Sequence, residues 1–284
     1  MSRISFMRFS LPLILASAIC IFSLPASAAS PEAKAFRVCA DPNNLPFSNS
    51  KREGFENKIA ELFAKELGWP VEFTWYPQRM GFLRNTLRSR QESGRYKCDI
   101  IMGVPFNYPE TATTRPYYRS TWMMLFVKNR GLDSVKAPQD MLKVPNLHSL
   151  KFGVFGGSPA ANWVLKYNLT GQMVPYRLQT GAIEDYTGKV IIDDLLPGNI
   201  DMLFIWGPIA GYYAKKHPEL VIVSMQTEDE KKDPNFTFDF DISMGMRQPD
   251  KEWKEQINQL IERNQDKINA ILTDYGVPLV KAAE

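Results

Sequence analysis

The sequence predicts an α/β fold in which two open-sheet units are joined by two crossing strands. Three features carry that expectation. A strand, a Pro/Asn turn and an amphipathic helix follow one another over Arg37–Gly68. The same strand–turn–helix order returns after Gly131. Two strand-rich segments, Thr121–Val127 and Asp239–Met246, stand between the units.

In the first unit, Phe36–Ala40 reads as a strand. In the helix after Glu53, Phe55, Ile59, Leu62, Phe63 and Leu67 recur at helical spacing. Glu56, Lys58, Glu61, Lys65 and Glu66 are expected on the other face, with Gly68 as the stop. Val71–Trp75 alternates as a strand does, and a helix is expected through Leu83 and Leu87. Cys98–Gly103 is nearly all apolar, as in a strand buried on both faces. Short crossovers make these strands parallel, so the loops after Ala40, Trp75 and Gly103 should line one mouth.

The second unit repeats this logic. Phe152–Phe155 is a strand, Gly156–Pro159 a tight turn, and Ala160–Tyr167 a helix. Strands are expected at Met173–Leu178, Asp201–Ile205 and Leu220–Val223, with a helical piece at Ile191–Leu195 and a helix running to Lys216. The tail is helical, with Trp253, Ile257, Leu260, Ile261, Ile268, Ile271 and Leu272 as its apolar positions, and should pack back on the first unit. The expected division is a leader at 1–28, a first lobe of 29–127 with 241–284, and a second lobe of 128–240.

The leader has Arg3 and Arg8, the apolar run Leu11–Leu24 and the small residues Ala26-Ser27-Ala28, the pattern of a cleaved secretory signal. Removing it leaves 256 residues with a charge near +1. That is ample for two lobes and lacks the broad basic footprint of a nucleic-acid binder. No later apolar run is long enough to span a bilayer. The expected location is the periplasm. Two cysteines remain, Cys39 and Cys98. In an oxidising compartment an even count favours a disulfide between their neighbouring strands, the alternative being two buried thiols.

Several residues at the expected mouth are candidates for binding, each with a structural alternative. Asp41 either accepts hydrogen bonds from a ligand or organises its turn, and Asn44 shares that ambiguity. Arg79 and Arg115, if they point inward, suit a carboxylate-rich ligand; otherwise they form surface ion pairs. Tyr117 is a stacking wall or a hinge residue. Ser158, after Gly156-Gly157, offers an anion site at a helix start or simply caps the helix. Trp206 stacks on a flat ligand or fills the gap between lobes. Catalytic and metal-binding motifs are lacking: there is no H-E-x-x-H, no C-x-x-C and no suggested Ser-His-Asp set. No enzyme activity, metal or resident cofactor is expected.

Taken together, RVCADPNNLPFSN, GFENKIAELFAKELG, CDIIMGVP, TTRPYYRSTW and WGPIAGYYA resemble periplasmic substrate-binding proteins of the polar amino-acid class. The joint presence of RVCADPNNLPFSN, WYPQRMGFLRNTL and WGPIAGYY resembles, more narrowly, the MoxJ/XoxJ branch. The resemblance implies a two-lobed Venus-flytrap fold. It also implies an accessory role for a quinoprotein methanol dehydrogenase as protein partner, with a small cleft ligand as a further expectation. The competing expectation is the solute receptor of a membrane transporter.

The departures from the amino-acid binders are informative. Where that class carries Pro-Glu-Arg, with the arginine gripping an α-carboxylate, this chain has Pro109-Glu110-Thr111. Where the class places an aspartate for the α-ammonium, Trp206 stands. Each lost charge-assisted bond costs on the order of 1.5–3 kcal/mol. Their joint loss argues against an ordinary free amino acid as ligand.

Overall fold

The computed structural model describes residues 34–177, 184–227 and 236–281; the expected leader lies outside them. The chain runs β1 (Phe36–Ala40), β2 (Asn43–Asn44), β3 (Ser48–Asn49), α1 (Phe55–Leu67), β4 (Val71–Trp75), α2 (Phe82–Asn85), β5 (Ile100–Pro105), β6 (Ala112–Thr113) and β7 (Tyr118–Val127). It continues through β8 (Phe152–Phe155), α3 (Pro159–Lys166), β9 (Met173–Tyr176), β10 (Met202–Trp206), α4 (Gly207–Lys216), β11 (Leu220–Ser224), β12 (Asp239–Met246), α5 (Lys251–Arg263) and α6 (Gln265–Asp274).

The principal sheet has the strand order β4-β1-β5-β12-β7-β10-β8-β9. It is two lobes' worth of sheet sharing two strands. β1 pairs in parallel with β4 and β5, and β8 in parallel with β9 and β10. The crossing strands explain the continuity. The first part of β7, from Tyr118 to Thr121, pairs with β12. From Trp122 onward β7 pairs with β10, and from Met123 with β11 on its other edge. Both of these pairings are antiparallel, so the second sheet is mixed. β11 is thus not a further parallel repeat unit but a strand laid back against the crossing.

Each lobe has its own core. Phe36, Val38, Phe55, Ile59 and Phe63 bury together, and Ile257, Leu260, Ile268 and Leu272 join them, so the tail does pack on the first lobe. In the second lobe, neighbouring strand residues divide between two cores. Met124, Phe126, Phe152 and Phe204 lie in one, and Leu125, Leu203 and Ile205 in the other. Burial on both faces is what makes these strands continuously apolar.

Local chemistry sets the element ends. Asn57 reaches back to accept the amides of Gly54 and Asn49, closing the start of α1. Residue 54 must be glycine, because a Cβ there would lie 2.1 Å from the Phe47 carbonyl oxygen. α2 is shorter than expected. The Thr86 hydroxyl donates to the Phe82 carbonyl at 2.6 Å and the backbone leaves the helix at Thr86, so Leu87 is buried without being helical. β5 starts at Ile100 and not at Cys98; Cys98, just ahead of it, is bridged to Cys39 with 5.4 Å between Cα atoms. Arg247 then takes the Cys98 carbonyl and the Asp99 carboxylate, and Arg37 takes Asp99 from the other side. A cross-link spanning 59 residues disfavours the unfolded chain by on the order of 4 kcal/mol.

Candidate functional site

The ends of parallel strands from both lobes meet at one cavity of about 260 Å³. That is where open α/β sheets present loops to ligands. The first lobe supplies Asp41, Asn43 and Asn44 after β1, and Pro77, Gln78 and Arg79 after β4. The second supplies Phe155, Tyr176 and Arg177 at the ends of β8 and β9. It adds Asp185, Tyr186, Lys189, Asp193 and Asp194 around the helical turn Ile191–Leu195.

On the first wall, Asp41 organises backbone. One of its oxygens accepts the Asn43 amide at 2.8 Å, and the other accepts the Gln78 amide from the neighbouring loop. The Asn44 amide group donates to the Gln78 side chain at 3.3 Å. The Arg79 guanidinium lies over the Tyr76 ring and has no carboxylate partner among the described residues.

On the second wall the acids are engaged within the lobe. Asp194 accepts the Tyr176 hydroxyl at 2.9 Å and the Asn199 side chain at 3.2 Å. Burial, reinforced by Asp194, pushes the Tyr176 phenol well above its ordinary range. Lys189 sits 3.4 Å from Asp185 and 3.9 Å from Asp193. Arg177 is exposed and unpaired among the described residues.

Behind this cavity lies a drier layer. Trp206 touches all three large cores, with ring centroids 5.9 Å from Phe240 and 6.3 Å from Trp122. Its indole N–H lies close to the Tyr118 hydroxyl of the first lobe. Tyr117 is fully buried, its ring edge-on to Tyr118 at 4.9 Å and its hydroxyl unpartnered. Glu56, in the first turn of α1, completes the layer. Its carboxyl oxygen would lie 2.3 Å from a Cβ on residue 103, so Gly103 makes room for it. Burial, with Asp41 adding repulsion, pushes the Glu56 carboxyl up to about 8. Burial likewise raises both tyrosines, with Glu56 as a further cause.

The site residues named from sequence therefore separate. Asp41, Asn44 and Arg79 share the cavity. Trp206 and Tyr117 belong to the layer behind it. Arg115 pairs with Glu262 at 2.9 Å, its backbone amide donates to Asn258, and it does not line the cavity. Ser158 is buried and caps α3 by accepting the Ala161 amide. Thr111 is buried with its hydroxyl unpartnered and also does not line the cavity.

The sequence places Glu56 on the outer helix face; in the structure it is half-buried, with its carboxyl packed against Gly103. A signal against the outer face was present, because Glu56, Ala60 and Phe63 form an i, i+4, i+7 stripe whose other members are buried. The fold brings Tyr176 and Arg177, at the end of β9, together with Asp194 of the helical turn Ile191–Leu195, a pairing that no short-range spacing signals. Among the described residues, no three His, Cys, Asp or Glu side chains cluster as a metal site, and no helix is long and apolar enough to cross a membrane.

No family model matches the chain. It is 28% identical to protein MoxJ of Methylorubrum extorquens over 91% of this chain and 86% of that one. The crystal structure of the periplasmic binding protein XoxJ from Methylobacterium extorquens superimposes with a TM-score of 0.68 at 31% identity, covering 87% of this chain and all of that one. The crystal structure of MxaJ from Methylophaga aminisulfidivorans superimposes with a TM-score of 0.71 at 26% identity, with the same coverage.

Proposed function

Because the chain belongs to the MoxJ/XoxJ family of periplasmic binding proteins, we propose that it is a non-catalytic accessory protein for the assembly or activation of a PQQ-dependent methanol dehydrogenase. It acts in the periplasm after its leader is removed. The observation that carries this reading is the match over 87% of the chain to a protein of that family, at 31% identity. The cleft supports it from another side. The positions that hold an amino acid's charged ends in ordinary receptors are here a buried threonine, Thr111, and an interlobe tryptophan, Trp206. Neither replaces a guanidinium or a carboxylate.

In this reading the lobes, 29–127 with 241–284 and 128–240, move about β7 and β12. The partner enzyme binds one arrangement more tightly than the other and so selects it. Arg119, which bridges the two crossing strands through Asp241 at 2.9 Å, lies where such motion is concentrated. Deletion of the gene tests the role. The expected result is dehydrogenase lacking quinone or subunits, with low activity. Fully loaded, fully active enzyme from the deletion strain would reject it.

A solute receptor for a transporter is the second reading, and the two-walled cavity favours it. Loss of uptake of one solute, with the dehydrogenase intact, would select it over the first.

A further inference from the structure

We infer that the cleft cavity binds a small organic dicarboxylate, one carboxylate held by Arg79 of the first lobe and the other by Arg177 of the second. The argument rests on which polar groups of the cavity are already engaged. Asp41 caps two backbone amides, Asp194 holds Tyr176 and Asn199, and Lys189 stands between Asp185 and Asp193. The two guanidiniums are different. They line the same cavity from opposite lobes, and neither has a carboxylate partner among the described residues. The unused capacity of the site is thus donor capacity, in the planar fork that matches a carboxylate.

The carboxylates on the walls keep their charge when they accept bonds from neutral amides and a hydroxyl, so a dianion is held only if both guanidiniums make close bidentate contacts that outweigh this repulsion. The walls also say something about the body of the ligand. The Tyr176 hydroxyl is given to Asp194, and the Tyr186 hydroxyl lies beside that of Tyr213. These two rings and Phe155 therefore offer mainly carbon surface. That favours an organic body over a bare inorganic dianion. An occupant joined to both arginines links the lobes and holds the cleft closed. This inference is independent of the accessory role, since a cleft ligand can serve either reading above.

The test is calorimetry of the intact processed protein against succinate and terephthalate, with benzoate, sulfate and lysine as comparison probes. A dicarboxylate is expected to bind, more weakly as salt rises, and to raise the melting temperature. Arg79→Gln and Arg177→Gln should each weaken it by about 10–100-fold, the cost of one charge-assisted contact. Arg115→Gln should leave it unchanged. Thermal melts of the free variants check that they remain folded. Silence from both dicarboxylates at millimolar concentration overturns the inference. So does sulfate, benzoate or lysine binding as tightly as they do, or affinity indifferent to both arginine variants. None of these results bears on the dehydrogenase of a deletion strain, so the two proposals fail separately.

Discussion

The cleft has two layers that treat charge in opposite ways. The outer layer, around Asp41, Arg79, Arg177 and Lys189, keeps its charges near solvent. The inner layer, around Glu56, Tyr117, Tyr118 and Trp206, is aromatic, and burial holds its one carboxyl protonated at neutral pH. Desolvation is the difference. A charge near water is cheap to keep, whereas one beneath the cleft must be neutralised or paired. The outer layer is therefore suited to recognising polar partners, and the inner one to transmitting the position of one lobe to the other.

The most damaging change should be Trp206→Ala. It removes a side chain common to three cores, and about 3 kcal/mol of stability should be lost in urea unfolding. A loss below about 1 kcal/mol, the level of an ordinary surface change, would mean that the inner layer does not couple the lobes.

Next is the pH dependence of the inner carboxyl. Glu56 titrates near 8 when folded and near 4.5 when unfolded. Between those values the folded chain binds more protons, so stability falls as pH rises, by at most about 1.4 kcal/mol per pH unit. Glu56→Gln should flatten that slope and stabilise the protein above neutrality. An unchanged slope in thermal melts across this range would place Glu56 in water.

Asp41→Ala joins the layers. Losing two amide contacts should cost about 1–2 kcal/mol. Removing its charge should also bring the Glu56 carboxyl down, narrowing the window in which stability falls. Carbon-detected NMR titration of Glu56 reads this directly. The smallest effect is Arg115→Ala. Its pair with Glu262 is half exposed, so unfolding should shift by no more than about 0.5 kcal/mol.

Much of the fold was legible before any coordinates. Strand and helix periods are local, and Phe36–Ala40, Val71–Trp75 and Asp239–Met246 stand as strands at the bounds read from sequence. The Cys39–Cys98 bridge, favoured by an even cysteine count on two neighbouring strands, is present in the structure. The site was less legible. Asp41, Asn44 and Arg79 could be named because they follow strand ends, a position that open sheets expose. Ser158 and Arg115 have the same residue types, but their side chains are taken up by a helix cap and by Glu262.

The order of elements and the parallel crossovers were determined by sequence alone, because they depend on residue type and short-range spacing. Which face of α1 hides a glutamic acid, which acids are already held, and which two arginines share a cavity were decided only by the tertiary structure. Desolvation and charge pairing depend on distances between loops far apart along the chain, and those distances exist only once both lobes have packed.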